Sequence, residues 1–363
     1  MRAVPPLFEI CTPTFCRGEG RRQLSTLSGT SPRPLLDWLL QKHPDTPKKR
    51  AKQWILAGRV SVNGVVIRQP NQTIPDPLDT LELLGRRAMT LDCGSAGWQI
   101  HRRVAVLYLD TALAVVNKGP GLISVPAGAG DLSALSILAD FLTGKLRAQD
   151  RGVAGRSLPP AYRRLEPLPV HRLDQYTSGV FCMAMNPGAR QRLIDQLKAH
   201  TMKREYVAYV EGRPQQPKGT WRNWLKLSAD ELRQFVISDA KAKTAKAEGL
   251  EAITHYEVIA EFPLAGSKKV VTKLRLRLET GRKHQIRAQA AHAGMPLVGD
   301  RIYHPKYHRD APKPPRIDFP RQALHGELLS LEHPDKPQAR MTWTAALPKD
   351  LQQLEATLRS CGA

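Results

Sequence analysis

The sequence predicts an α+β fold, a mixed or antiparallel sheet in a large second domain preceded by a small αβ module. Three observations carry that expectation. Apolar strands and amphipathic helices alternate along the chain without a regular βαβ rhythm. A length of 363 residues exceeds the usual single domain, so one sizeable core plus a smaller attached unit is expected. Near the start, two short helices run directly into a Val-x-Val-Asn-Gly hairpin, a self-contained pattern. The boundaries that follow are a flexible tail over 1–32, a small module over 33–85, a linker over 86–101 and a large domain over 102–363.

Residues 1–32 are rich in Pro, Arg, Ser and Thr without a continuous apolar core, a poor fit to a secretory signal. Leu35, Leu36, Trp38, Leu39 and Leu40 suggest a buried helix, ended by the His43-Pro44-Asp45-Thr46 turn. Thr46 as N-cap and Pro47 at the first position open a second helix, with Gly58 placed for a left-handed end. Ala51, Trp54 and Ile55 share one face by their spacing, which frees Lys48, Lys49 and Lys52 for solvent or phosphate. The dipole at a helix start disfavours cations, so helix stability does not account for these lysines. Val60–Val62 and Val65–Ile67 around Asn63-Gly64 read as a hairpin with a type I′ turn.

Residues 86–101 lack periodicity and are read as the linker. Val104–Leu109 and Leu113–Val116 read as strands, followed by the Gly119-Pro120-Gly121 loop, a helix near 132–142 and an exposed basic loop over 144–166. Val180–Met185 is a buried strand, Asn186-Pro187 caps a helix to about Lys198, and Tyr206–Val210 is another strand. Leu274, Leu276 and Leu278 alternate with Arg275, Arg277 and Glu279, the period of a half-buried strand. Thr280-Gly281 turns the chain into a helix over Lys283–Ala293, stopped by Gly294 and Pro296.

Charge narrows the function. Fifty-five Lys and Arg against 33 Asp and Glu give a net +22, a field that attracts polyanions, of which nucleic acid is the first candidate. No apolar run is long enough to cross a bilayer, so no membrane role is expected. Five scattered cysteines without C-x-x-C spacing fit neither a disulfide framework nor a zinc ribbon, and point to a reducing cytoplasm. His284 and His292 are too far apart along one helix to chelate routinely, and no Cys or carboxylate completes a set with His171, so no metal is expected. Without a phosphate-cradling glycine loop opening a helix, no nucleotide cofactor is implied either.

The most specific stretch is HRLDQYTSG, His171–Gly179. An Asp flanked by His and Arg, in a loop supplied with Thr, Ser and Gly, can be held ionised as a nucleophile or base, or can simply stabilise a turn. Read from spacing alone, Tyr206 is a core strand residue, Arg287 a helix-surface residue and Ile286 a packing residue. HRLDQYTSG resembles the signature loop of RluA-type pseudouridine synthases, with Asp174 at the position of the family's aspartate. LETGRKHQIRAQAAHAGMPLVGD, Leu278–Asp300, and QALHGELLSLEHP, Gln322–Pro334, are similar to later motifs of that family, and KREYVAYVEG, Lys203–Gly212, to the strand bearing its tyrosine. The two helices and hairpin at the start resemble the RNA-binding module of small-subunit ribosomal protein four. Gln175-Tyr176 stands where many relatives have Lys-Asp, which bears on substrate preference rather than on the carboxylate.

The resemblance implies a cofactor-independent isomerase of uridine in structured RNA. Asp174 would attack the sugar, assist its departure or add to the base, routes among which the sequence does not choose. By the same resemblance Tyr206 would stack on the uracil and take the final proton, Arg287 would pair with Asp174, and Arg172 would fill the gap left by the extruded nucleotide. His171, Thr177 and Ile286 would contact the substrate. Ribosomal RNA is the first expected partner and transfer RNA the second, for a monomeric cytoplasmic enzyme. The rivals are a non-catalytic RNA-binding protein and a hydrolase; the presence of Asp174 disfavours the first, and the lack of a second acid in its loop the second.

Overall fold

The computed structural model describes residues 32–56, 60–63, 65–67, 69–74, 80–83, 90–128, 130–146, 162–163, 165–237, 249–307, 317 and 319–360. The expected tail, Gly58 and most of the expected basic loop over 144–166 lie outside the described residues. The chain divides into two compact units, residues 1–90 and 91–363.

The first unit comprises β1 (Arg33–Pro34), α1 (Leu35–Lys42), α2 (Lys48–Leu56), β2 (Val60–Val62), β3 (Val65–Ile67), β4 (Thr73–Ile74) and β5 (Leu81–Leu83). Leu35, Leu36, Trp38 and Leu39 of α1 pack with Ala51 and Ile55 of α2 and with Val60, Val62 and Leu81 in one core. The helix α2 begins one residue later than expected, because the Pro47 carbonyl accepts from the backbone N–H groups of Arg50 and Ala51. Asn63 has φ +51°, as a type I′ turn requires, and β2 pairs with β3 in the expected register. β5 also pairs with β2, an edge that the hairpin signal alone does not show.

The second unit holds β6 (Leu91–Asp92), β7 (Trp98–His101), β8 (Val104–Leu109), β9 (Leu113–Lys118), α3 (Ala134–Thr143), β10 (Leu168–Pro169), β11 (Ser178–Ala184), α4 (Pro187–Lys198), β12 (Lys203–Glu211), β13 (Lys218–Leu227), β14 (Gln234–Ile237), β15 (Leu250–Pro263), β16 (Val270–Leu278), α5 (Gln285–His292), β17 (Leu324–Glu332), β18 (Arg340–Thr344) and α6 (Lys349–Ser360). The expected linker over 86–101 needs correction, since β6 and β7 both pair with β8 and its second half belongs to the sheet. These strands are short and interrupted by Gly94 and Gly97, both at positive φ, which is why no alternation marks them in the sequence.

Ten strands form the path β14-β13-β15-β16-β12-β17-β11-β9-β8-β6, with β7, β10 and β18 on side branches. Every pairing is antiparallel except β11 with β17, a parallel seam matched at only two positions, Ser178 with His325 and Gly179 with Gly326. On one side of it, β8, β9 and β11 are almost wholly buried, as their continuous apolar runs require. On the other, Arg275 and Arg277 of β16 are exposed while Leu274, Leu276 and Leu278 are buried. The helix α4 is capped by Asn186, whose side chain accepts from the Ala189 N–H, and closes one core through Ala189 and Leu193. α6 closes the other with Leu351, Leu354 and Leu358 against Tyr209 and Phe262, each leucine contributing about 1.5–3 kcal/mol by burial.

The seam depends on Gly179. Gly179 has φ +121°, and a Cβ there would stand 2.1 Å from the Gly326 carbonyl oxygen. Gly179→Ala is therefore expected to lower unfolding free energy by about 2–4 kcal/mol, through strain and overlap together. A urea titration checks this, and a midpoint within error of wild type would show that the strands separate freely there.

Candidate active site

The loop between β10 and β11 carries HRLD, and six of its backbone groups, from Leu173 to Thr177, are fastened. The Ser124 hydroxyl donates to the Leu173 carbonyl at 2.9 Å, and its oxygen accepts from the Leu173 N–H at 3.0 Å. The Gln175 carbonyl accepts from the Gly121 N–H at 2.9 Å and from Lys118 Nζ at 3.1 Å. Arg321 Nη1 donates to the Tyr176 carbonyl at 3.1 Å. The Thr177 N–H turns back to the Asp174 carbonyl at 3.0 Å. Such bracing fixes the carboxylate before any ligand arrives.

Lys118 is fully buried at the end of β9, its ammonium directed at the carbonyls of Gly119, Leu122 and Gln175. Burial pulls its pKa down to about 7, with Asp174 opposing that pull and Arg321 and Arg103 adding to it. Arg321 is equally hidden and forks onto Asp350, with Nε at 2.6 Å and Nη2 at 3.0 Å. Neither residue is singled out by the sequence, because each works through partners remote along the chain.

Asp174 lies at the wall of a cavity of about 640 Å³, its side chain 19% exposed. Arg287 Nη1 donates to its Oδ2 at 3.2 Å. The remaining edge of that guanidinium forks onto Asp300, from Nε at 2.6 Å and from Nη2 at 2.8 Å. Asp300 is fully buried and also accepts from the backbone N–H groups of Ile302 and Tyr303. Burial alone would raise its pKa, but the bonds and charge of Arg287 and the two N–H groups outweigh that and hold it below the ordinary value. For Arg287, burial would lower the pKa, and Asp300 with Asp174 raises it instead. Asp174 Oδ1 accepts no hydrogen bond among the described residues, so one carboxylate oxygen faces the cavity unengaged.

Arg287 is thus buried, against the helix-surface position that spacing alone implies. All of the first turns of α5, from Gln285 to Ala290, are buried. The helix opens at His284, which takes φ +53°, a conformation rare for a side chain with Cβ. His284 Nδ1 meets the Tyr303 hydroxyl at 3.1 Å, and Nε2 stands 3.9 Å from Asp174 Oδ2. Burial pulls its pKa down to about 4 despite Asp174, so at neutral pH it is an uncharged imidazole at the carboxylate's side. The side chain of Gln285 accepts from the Arg282 N–H and from the Thr280 hydroxyl, bracing the turn that carries this strain.

Tyr206 of β12 also lines the cavity, 7% exposed. Burial raises its pKa, with Asp174 adding to that and Arg204 opposing it, so it remains a neutral phenol at neutral pH. His171, Arg172, Thr177 and Ile286 line the same cavity, which gathers every expected site residue of the large unit. Two of them have structural duties as well. His171 Nε2 accepts from the Cys182 N–H at 3.1 Å, bolting the loop to β11, and Thr177 Oγ1 accepts from the Gln322 amide at 3.4 Å. Arg172 is exposed and makes no hydrogen bond among the described residues. Lys48, Lys49 and Lys52 belong to the first unit, where all three are exposed on α2.

Comparison with known proteins agrees with this arrangement. The family model for RNA pseudouridylate synthase matches residues 112–292, and that for the S4 domain matches residues 33–76. "Ribosomal large subunit pseudouridine synthase D" of Yersinia pestis is 30% identical over 340 residues, covering 89% of this chain and 90% of its own length. The protein of the same name in Xylella fastidiosa is 32% identical over 347 residues, covering 94% of each. "Uncharacterized RNA pseudouridine synthase YlyB" of Bacillus subtilis is 30% identical over 334 residues, 90% of this chain and 94% of its own. With Asp174 in its braced loop, and with identity sustained over both units, the chain belongs to the RNA pseudouridylate synthase family, isomerases of the RluA type, and carries an S4 domain ahead of the catalytic unit.

Proposed function

We propose that this enzyme isomerises particular uridines of ribosomal RNA, with Asp174 as the reacting carboxylate, acting as a monomer in the cytoplasm. The observation that carries the reading is Asp174 at the wall of a cavity large enough for a nucleoside, its Oδ2 held by Arg287 and its Oδ1 without a hydrogen bond among the described residues. The bond from ribose C1′ to uracil N1 breaks, the base turns, a bond from C1′ to C5 forms, and the C5 proton leaves as N1 gains one. No electron is exchanged, so no redox partner is required. Asp174 assists bond cleavage and then, in place of the expected Tyr206, which burial keeps as a protonated phenol, receives the C5 proton. Tyr206, kept neutral by burial, stacks on the uracil, and Ile286 walls the base from the side. Arg172, exposed at the cavity, fills the place the uridine leaves in its stack. His171 and Thr177 hold the loop against the substrate. Among the described residues no helix is long and apolar enough to cross a membrane.

Tritium at uridine C5 tests the reading. Ribosomal RNA labelled there and taken from cells lacking this gene should lose label to water with the enzyme, and retention of all label would overturn the proposal. The S4 domain enters through its lysines. Replacing Lys48, Lys49 and Lys52 by Gln should reduce the slope of log affinity against log salt by about 2 to 3, one phosphate contact for each cation. An unchanged slope would mean that the grip lies elsewhere.

A further inference from the structure

Two residues before Tyr206, and so on the same face of β12, stands Arg204. It is 7% exposed and lines the same cavity. Its Nη2 donates to the carbonyls of Glu279 and Thr280, both at 3.3 Å, and its buried Nε has no hydrogen-bond partner. No carboxylate pairs with it among the described residues. Two long bonds to neutral acceptors leave a buried positive charge almost uncompensated, an arrangement costly without an anion.

The cavity that it lines can bring one to it. Arg204 Nη1 makes no hydrogen bond among the described residues and abuts Gly281, where a Cβ would come within 2.5 Å of it. Gly281 does not have the left-handed φ that would demand glycine, so what its missing side chain provides is the place that Nη1 itself occupies at the cavity wall. Around the same cavity stand Arg172, Lys198, His200 and Lys283. Of the acids there, Asp174 is paired with Arg287, and Glu279 with His255. Away from Asp174 the cavity is therefore electropositive.

We propose that Arg204, packed against Gly281 at the cavity wall, is an anion subsite that receives a phosphate group adjoining the uridine in the cavity. That the phosphate belongs to an RNA strand rests on the synthase reading; the anion chemistry does not. Bound there, the phosphate would supply the charge that Arg204 lacks and would set the sugar between the subsite and Asp174.

Titration of the full-length protein with uridine, uridine 5′-monophosphate, uridine 3′-monophosphate and inorganic phosphate tests this, followed by calorimetry. Wild type should prefer one monophosphate over uridine by about tenfold, the worth of a charged hydrogen bond. Inorganic phosphate alone should compete for the same site, whereas competition only by the nucleotides would assign recognition to the base and sugar and overturn the subsite. Arg204→Gln and Arg204→Met should abolish the preference while melting no lower than wild type, and Gly281→Ala should reduce it with the charge intact. Preference retained in both Arg204 variants would assign the phosphate to the rim cations and overturn the proposal. Loss of uridine affinity with the preference unchanged would make Arg204 a reader of the base, and collapse of both variants on melting would make it a structural pin; either result overturns it. Tritium release by the same wild-type preparation separates the two ideas. Release without phosphate preference sinks the subsite alone, and preference without release sinks the synthase reading alone.

Discussion

Asp174→Asn should lower tritium release from uridine C5 by at least about a thousandfold, the scale of losing a reacting carboxylate. The fold should barely notice, with unfolding free energy within about 1 kcal/mol of wild type. Both halves of that expectation come from the geometry. Oδ1 of Asp174 has no partner among the described residues, so the amide takes nothing from them there, and the Arg287 guanidinium keeps its two bonds to Asp300. The loop that carries residue 174 is held by its backbone, through Ser124, Lys118, Gly121 and Arg321, none of which touches the carboxylate. Single-turnover label release beside a urea titration checks the pair of effects. Release at a tenth of the wild-type rate or better would remove Asp174 from the chemistry and favour a protein that binds RNA without modifying it.

Asp300→Asn should do the opposite, costing stability first and activity as a consequence. Removing the carboxylate strips a buried guanidinium of its fork and leaves Asp174 as its remaining anionic partner, a loss of about 3–5 kcal/mol. Activity should fall as well, since Arg287 is then free to swing toward Asp174 and engage the oxygen that the nucleoside needs. The acid limb of stability supplies a second readout. Asp300 is held below its ordinary value of 3.8, so the stability it contributes is fully present above that pH and is lost as pH falls through the folded-state value. In Asp300→Asn that part of the acid limb should flatten. A variant with wild-type stability and an unchanged acid limb would show that the fork does not carry the arginine.

Much of this was legible in the sequence wherever the signal is local. The helix α4 announces itself through Asn186-Pro187, the first hairpin through Asn63-Gly64, and the buried strands β8, β9 and β11 through unbroken apolar runs. Asp174 and Arg287 come from their motifs. What stayed hidden is what depends on partners distant in the chain. Lys118 is an ordinary strand-end lysine until Gln175, 57 residues on, is seen above it. Arg321 reads as a surface cation until it reaches Tyr176, 145 residues back. Arg287 has a spacing compatible with a helix surface, and only Asp300 and Asp174 explain how a guanidinium is buried there. Strands β6 and β7 were lost in an expected linker because stretches of two and four residues, separated by Gly94 and Gly97, are too short to show a period.

The parallel seam between β11 and β17 divides the proposed site. The loop before β11 contributes the carboxylate, while β12 and α5, beyond β17, contribute Tyr206, Arg204 and Arg287. Neither half of the sheet holds the full set, so competence is a property of the junction rather than of either lobe. A perturbation that lets β11 slip by one residue against β17 would turn Asp174 away from Arg287 while leaving most of each hydrophobic core in place. The enzyme could then remain folded and lose its chemistry, which makes Gly179, whose Cβ would stand 2.1 Å from the Gly326 carbonyl oxygen, a position with almost no tolerance.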